Sequence, residues 1–222
     1  MMIYCIRHAQ AAFQQPNASR WDPPLTGLGC RQATWLGDRL KASGFNGPIY
    51  CSPFHRALQT AQCVADVTGS TIYLAWRIRE IAMTAESFSG FTGMTAERCI
   101  ALYSSLAKHQ ELPDLWWTEQ AETQEQVEAR CRPLADEILV KGEDCLVVGH
   151  GASITAFVSI MLQKSGYRLM DSVPCLNTSL SAFYSDGQRI EPQLIHDDTH
   201  VPLLERTSNS RYLLTPINEK PL

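Results

Sequence analysis

Apolar positions along the chain follow two periods, and the two alternate. Residues 3–6 form a short unbroken apolar run of the kind buried on both faces of a sheet. Leu28, Ala33, Leu36 and Leu40 then repeat at helical spacing behind Thr26, a good N-cap, and the pattern stops at Ser43 and Gly44. Residues 49–51 read as a second strand. Ala57, Ala61, Val64 and Ala65 mark one face of a helix over 56–67 closed by Gly69, and 71–75 alternates as a third strand. A long helix over about 122–140 ends at Gly142, and an apolar strand at 145–148 runs into "GHGAS" and a helix over about 153–162. Two last strands, 179–184 and 190–195, flank an Asp186-Gly187 turn.

This alternation predicts an α/β fold, a three-layer sandwich with a mostly parallel central sheet flanked by helices. The stretch 83–123 breaks it. Phe88, Phe91, Trp116 and Trp117 stand there among glycines, a proline and a helical pattern around 95–108, which predicts a cap insertion over one end of the sheet. With 222 residues and no internal repeat, one domain spanning 1–222 is expected, carrying that cap and a C-terminal tail from about 206.

Composition removes several function classes. A hydrophobic share of 45%, a charged share of 19% and a formal charge of -4 describe a folded chain without the basic excess that would attract nucleic acid or an anionic membrane. No window reaches the roughly 18 apolar residues of a membrane span, and no leader precedes the first strand, so a cytoplasmic protein is expected. The eight cysteines are scattered, with no Cys-x-x-Cys pair and no zinc-like spacing, and are read as reduced structural thiols. Nothing in the pattern sets an oligomeric state.

Ligands of open α/β sheets bind beyond the carboxyl ends of the strands, so the residues just past each apolar run carry the chemistry. Arg7 and His8 follow the first run; Ser52, Pro53 and then Arg56 follow the second; Arg77, Arg79 and Glu80 follow the third; Gly149, His150 and Gly151 follow the fourth. Two histidines, two or more arginines and a glutamate suit phosphoryl transfer through a phosphohistidine. Guanidinium forks hold phosphate oxygens, a neutral imidazole attacks phosphorus, and a carboxyl group protonates the departing oxygen. Gly151 opens a helix whose N-terminus adds to an anion site. Neither a metal nor another cofactor is required, and the only partner implied is a small phosphorylated substrate. The plainer reading of Glu80 is a surface ion pair with Arg77 or Arg79. Arg56 stands in a first helical turn, where a cation is unfavourable unless an anion lies beside it. His55, His109, His196 and His200 do not follow strand ends and are read as non-catalytic.

"IRHAQ", "DPPLTGLGCRQA", "CSPFHRALQTA", "IREI" and "VVGHGASI", in that order, resemble the motifs of the histidine phosphatase superfamily, also called phosphoglycerate mutase-like. The resemblance covers roughly residues 1 to 200. It implies His8 as the phosphorylated nucleophile, Arg7, Arg56 and His150 as the phosphate pocket, and Glu80 as the proton donor. Gln14 stands where an asparagine often helps to bind phosphate, and Arg20 is a further candidate contact to substrate. An insertion of about five residues before "FTG" makes Glu86 a rival acid. The family divides into phosphatases and mutases, and the basic Trp-Arg-Arg stretch of the sugar-phosphate mutases has no counterpart here. From Met83 to Glu125, seven acidic residues (Glu86, Glu97, Glu111, Asp114, Glu119, Glu122, Glu125) face two basic ones (Arg98, Lys108), a poor holder for a bisphosphate. A metal-independent phosphatase is therefore expected, with Phe88, Phe91, Trp116 or Trp117 as candidate walls for the leaving group. The alternatives are mutase-type phosphoryl transfer and a non-catalytic phospho-ligand binder.

Overall fold

The apolar runs pair into one six-stranded sheet in a computed structural model that describes residues 1–12, 21–84, 86–168 and 174–207. Gln14 and Arg20 lie outside the described residues. The strands are β1 (Met2–Arg7), β2 (Ile49–Cys51), β3 (Ile72–Leu74), β4 (Cys145–Gly149), β5 (Leu180–Ser185) and β6 (Ile190–Asp197), in the spatial order β3-β2-β4-β1-β5-β6. β1 to β4 run parallel, with Ile3 opposite Cys145 and Ile49 opposite Leu146. β5 and β6 form the expected hairpin at Asp186-Gly187 and pair antiparallel to β1 through β5.

Helices α1 (Gly27–Ala42) and α2 (His55–Thr68) pack together, as do α4 (Gln124–Lys141) and α5 (Gly151–Lys164); α3 (Ala96–Leu102) lies between. Leu36, Leu40, Ala61 and Val64 form one core with Ile6, Ile49 and Val148, and Val127, Leu134, Ile138, Phe157 and Met161 form the other with Ile3, Cys5 and Val147. Alternate strand residues thus feed opposite cores, as a sheet covered on both faces requires. Caps set the helix limits. Thr26 Oγ1 accepts from Gly29 N, Thr123 and Gln126 form a capping box, and Gly69 and Gly142 close α2 and α4 in the left-handed conformation.

Most boundaries shift by one or two residues from the sequence reading, and three of the differences have a bearing on the sheet edge or the strand ends. The helical pattern at 95–108 ends at Leu102, because the free edge of β3 claims the residues beyond it: Ile72 N donates to Ser105 O, and Ala107 N donates to Ile72 O. Those bonds cover an otherwise open edge strand. Arg7 is the last residue of β1 rather than the first beyond it. The last helix begins at Gly151, two residues earlier than its apolar pattern suggests, with His150 as its N-cap. Among the described residues α3 is the only helix of the stretch 83–123, and no helix is long and apolar enough to cross a membrane. All eight cysteines are free, and burial raises thiols such as Cys5 and Cys51 well above their ordinary value.

Gly149 closes β4 directly beneath the N-cap. A Cβ there would stand 2.8 Å from Ile78 Cγ1 and 2.9 Å from Ser153 Oγ. Gly149→Ala is expected to cost about 1–3 kcal/mol through overpacking. Urea unfolding checks this: the midpoint should fall with the slope unchanged.

Candidate active site

Backbone pairing continues one residue past the strands and brings their ends together. His8 N donates to Gly149 O at 2.9 Å, and Ser52 N donates to Val148 O at 2.9 Å. From the other side Asn177 Nδ2 donates to His8 O at 2.8 Å, and Thr178 N donates to Arg7 O at 3.0 Å. The His8 and His150 rings consequently lie 5.1 Å apart, both fully buried.

The tautomer of His8 follows from its partners. Nδ1 lies 2.7 Å from Ala9 O, which can only accept, so Nδ1 carries the proton and Nε2 keeps its lone pair. Arg56 Nε donates to that Nε2 at 3.2 Å. Burial, reinforced by the charges of Arg56 and Arg7, holds the His8 imidazole well below its usual pKa. Burial and the Arg56 charge do the same to His150. His150 Nε2 sits 2.8 Å from Ser52 Oγ, while its Nδ1 lies 3.6 Å from Glu80 Oε2 without a hydrogen-bond partner among the described residues.

Two guanidinia complete the pocket. Arg7 Nη1 donates to Cys175 O at 2.8 Å, and its buried Nε is without a hydrogen-bond partner among the described residues. Arg56 Nη1 pairs with Asp22 Oδ1 at 3.2 Å, and Arg56 Nη2 lies 3.7 Å from Glu80 Oε2. Asp22 Oδ2 also accepts from His55 N at 2.7 Å, so one carboxylate both caps α2 and faces the arginine of its first turn. That is the anion a cation at a helix N-terminus calls for. Gly151 lies against Arg7, where a Cβ would come within 3.8 Å of the guanidinium carbon.

The sheet therefore brings together Arg7, His8, Arg56, Glu80, His150 and Gly151. Arg77 and Arg79 are not among them. Arg77 stacks on Trp76 at 4.5 Å, and Arg79 forms a fork with Glu122 at 2.6 and 3.0 Å, which also sets aside the ion pair of Glu80 with Arg77 or Arg79. Glu86 is exposed, and among the described residues no ion pair joins it to the pocket. Strand-end reasoning missed Asp22, Asn177 and Thr60, whose Oγ1 accepts from Ala9 N at 3.0 Å. Only Asp22 had a signal, the empty anion position beside Arg56. Among the aromatics, Trp116 is core, 2% exposed with Nε1 donating to Met94 O. The Phe54 ring touches the chemistry, 5.1 Å from His150 and 4.6 Å from the Arg56 guanidinium, and it stacks on Phe91 at 5.4 Å.

The arrangement suits an anion. Buried polar nitrogens seldom go without partners, and among the described residues Arg7 Nε and His150 Nδ1 have none. His8, Glu80 and His150 each also offer one ligand atom within 4.8 Å of the others, the spacing of a metal site. A cation there would have to displace Arg56 Nε from His8 Nε2 and sit against two guanidinia, so the donor set fits it poorly.

Residues 3–198 match the sequence profile of the histidine phosphatase superfamily, branch 1. The chain belongs to this family. It is 25% identical over 197 residues to the protein named "Putative phosphoserine phosphatase 2" of Hydrogenobacter thermophilus, covering 84% of this chain and 91% of that one. It is 29% identical over 177 residues to "Probable phosphoglycerate mutase GpmB" of an Enterobacter species, covering 75% and 77%. The fold matches the crystal structure of ecdysone phosphate phosphatase from Bombix mori in complex with tungstate, with a TM-score of 0.70, 16% identity and coverage of 88% and 93%. Histidine phosphatase relatives of this chain are thus named as phosphatases or as phosphoglycerate mutases.

Burial lowers His55, His196 and His200 as well as His8 and His150. Below the ordinary value of 6.5 the unfolded chain takes up protons that the folded chain refuses, so stability falls as the pH drops and is complete above it. Urea midpoints at about pH 7.5 and about pH 5 check the sign; a flat profile, or one rising towards acid, contradicts it.

Proposed function

We propose that this chain is a phosphatase that hydrolyses a small phosphate monoester through a phosphohistidine on His8. The observation that carries the proposal is the fixed tautomer of His8, which turns the Nε2 lone pair towards the volume bounded by Arg56, Glu80 and His150. Arg7, Arg56 and His150 hold the phosphoryl oxygens. His8 Nε2 forms a bond to phosphorus as the ester P–O bond breaks, and Glu80 gives its proton to the departing oxygen. Water then attacks the phosphohistidine, Glu80 takes its proton, and phosphate leaves with His8 neutral again.

Hydrolysis is favoured over return of the phosphoryl group by the acidic character of the stretch 83–125. Glu86, Glu97, Glu111, Asp114 and Glu119 are exposed there, a field that repels a second phosphate. The name of the Hydrogenobacter relative makes phosphoserine the first monoester to try.

His8→Ala is expected to abolish release of p-nitrophenol from its phosphate ester in the presence of a chelator, and rapid acid-free quenching of the native enzyme should trap phosphate on His8. An unchanged rate in the variant refutes the nucleophile. Isomerisation of phosphoglycerate that depends on a bisphosphate primer, with little hydrolysis, would make the chain a mutase. For the acid, Glu80→Gln should lower kcat/KM on an alkyl phosphate by about 10²-fold or more, the usual worth of a general acid. Glu86→Gln should stay near the parent; the opposite order would transfer the role to Glu86.

A further inference from the structure

Residues 79–83 belong to no helix or strand, yet Glu80 holds its carboxylate 3.6 and 3.7 Å from His150 and Arg56. Its Oε1 accepts from Ile81 N at 3.1 Å, and the backbone on either side is held from the face of the loop away from the pocket. Arg79 reaches back to Glu122 with Nη1 at 2.6 Å and Nη2 at 3.0 Å, while Arg130 Nε donates to the same carboxylate at 2.9 Å. Arg130 then uses its remaining nitrogens on the loop's backbone: Nη1 donates to Arg77 O at 2.5 Å, and Nη2 donates to Arg79 O at 2.9 Å. Downstream of Glu80, Glu122 N donates to Ala82 O at 2.8 Å, and Ala82 N donates to the Glu122 carboxylate at 3.4 Å. Ser153 Oγ donates to Ile78 O at 2.9 Å. The backbone is therefore clamped at 77, 78, 79 and 82, and Glu80 is the polar side chain between the clamps.

The three charged groups are about nine-tenths buried, with side-chain exposures of 9% for Arg79, 9% for Arg130 and 10% for Glu122. Burial alone would raise the Glu122 carboxyl, but the hydrogen bonds from Arg79 and Arg130 overcome it and hold the group below the usual carboxylate range. A buried triad is weak evidence for stability, since apolar residues could fill the same space, and a buried ionic group is better explained by the geometry it specifies. Here that geometry belongs to the loop carrying the acid.

We propose that Glu122 is a positioning residue for proton transfer: with Arg79 and Arg130 it sets the reach of the Glu80 carboxylate to the departing oxygen. The inference rests on the reading of Glu80 as the proton donor. Misplacing a catalytic group by about 1 Å costs on the order of 10²-fold, which sets the scale of the effect.

The test compares kcat/KM on two esters, an alkyl phosphate whose leaving group needs a proton and 2,4-dinitrophenyl phosphate, whose leaving group does not. Glu122→Gln, which keeps the shape and removes the charge, should lose about tenfold to a hundredfold on the alkyl ester and less than about threefold on the aryl ester. Glu122→Asp should recover part of the loss. Arg79→Lys, which keeps the charge but not the fork, should show the same leaving-group selectivity and serves if Glu122→Gln does not fold. Glu80→Gln is run alongside. If it shows no leaving-group selectivity, the assignment of the acid fails. If it does while Glu122→Gln and Arg79→Lys lose equally on both esters, or lose nothing, the acid stands and the positioning role is refuted.

Discussion

The fold must hold two guanidinia and two imidazoles together out of water. Arg7, His8, Arg56 and His150 are each no more than 5% exposed, and among the described residues the carboxylates within reach are those of Asp22 and Glu80. A proton on either ring would add a positive charge to a buried site that already holds two arginines. Both imidazoles are consequently held towards the neutral form, the form that the proposed attack by His8 requires. In that proposal the reactivity of His8 and the electrostatic cost of the site have one origin. Acid sensitivity of the fold follows from it as well, because the burial that lowers His8 and His150 is absent from the unfolded chain.

A second charge cluster meets the first across a single peptide segment. Arg79 and Arg130 share Glu122, two cations on one anion, and the Arg130 charge contributes to lowering His150. Glu80 sits between these groups with its backbone governed by one cluster and its carboxylate facing the other. Coupling of this kind needs no conformational change. The outer triad bonds the backbone, while the carboxylate accepts from Ile81 N and faces Arg56 and His150.

How much of this was legible in the sequence depended on the range of each interaction. Apolar runs set β1, β2 and β4, and the strand-end rule then located Arg7, His8, Arg56, Glu80 and His150 because each lies at, or within about six residues of, the end of a run. Asp22 and Asn177 come from loops with no periodicity, and only folding brings them to Arg56 and His8. The end of the helix at Leu102 was hidden for the same reason: the competing partner of residues 105–107 is an edge strand some thirty residues earlier. Glu122 shows a different blindness. Counted with the acidic residues of 83–125 it looks like a solvated charge, whereas burial against Arg79 and Arg130 removes it from the surface field and gives it a structural task. A charge count cannot separate those cases, because it contains no information on what each carboxylate faces.

The strand ends and the aromatic stretch beside them also differ in what holds them. Arg7, His8 and His150 rest on the parallel sheet, where paired backbone allows little freedom, while the stretch that carries Phe88, Phe91 and Trp116 has one seven-residue helix among the described residues and aromatic packing. Phe54 joins them. It occupies the N-cap of α2, a position it serves badly as a cap since its side chain accepts no bond, and Asp22 supplies the hydrogen bond to the first turn instead. Its ring contacts His150 and Arg56 on one side and Phe88, Phe91 and Trp116 on the other. Phe88 holds a left-handed backbone, φ 67°, to take its place in that stack, a conformation an aromatic residue adopts only when its surroundings outweigh the strain. Packing in the aromatic stretch thus bears on His150 and Arg56, so a change among these aromatics reaches the buried charges through one ring rather than through the sheet.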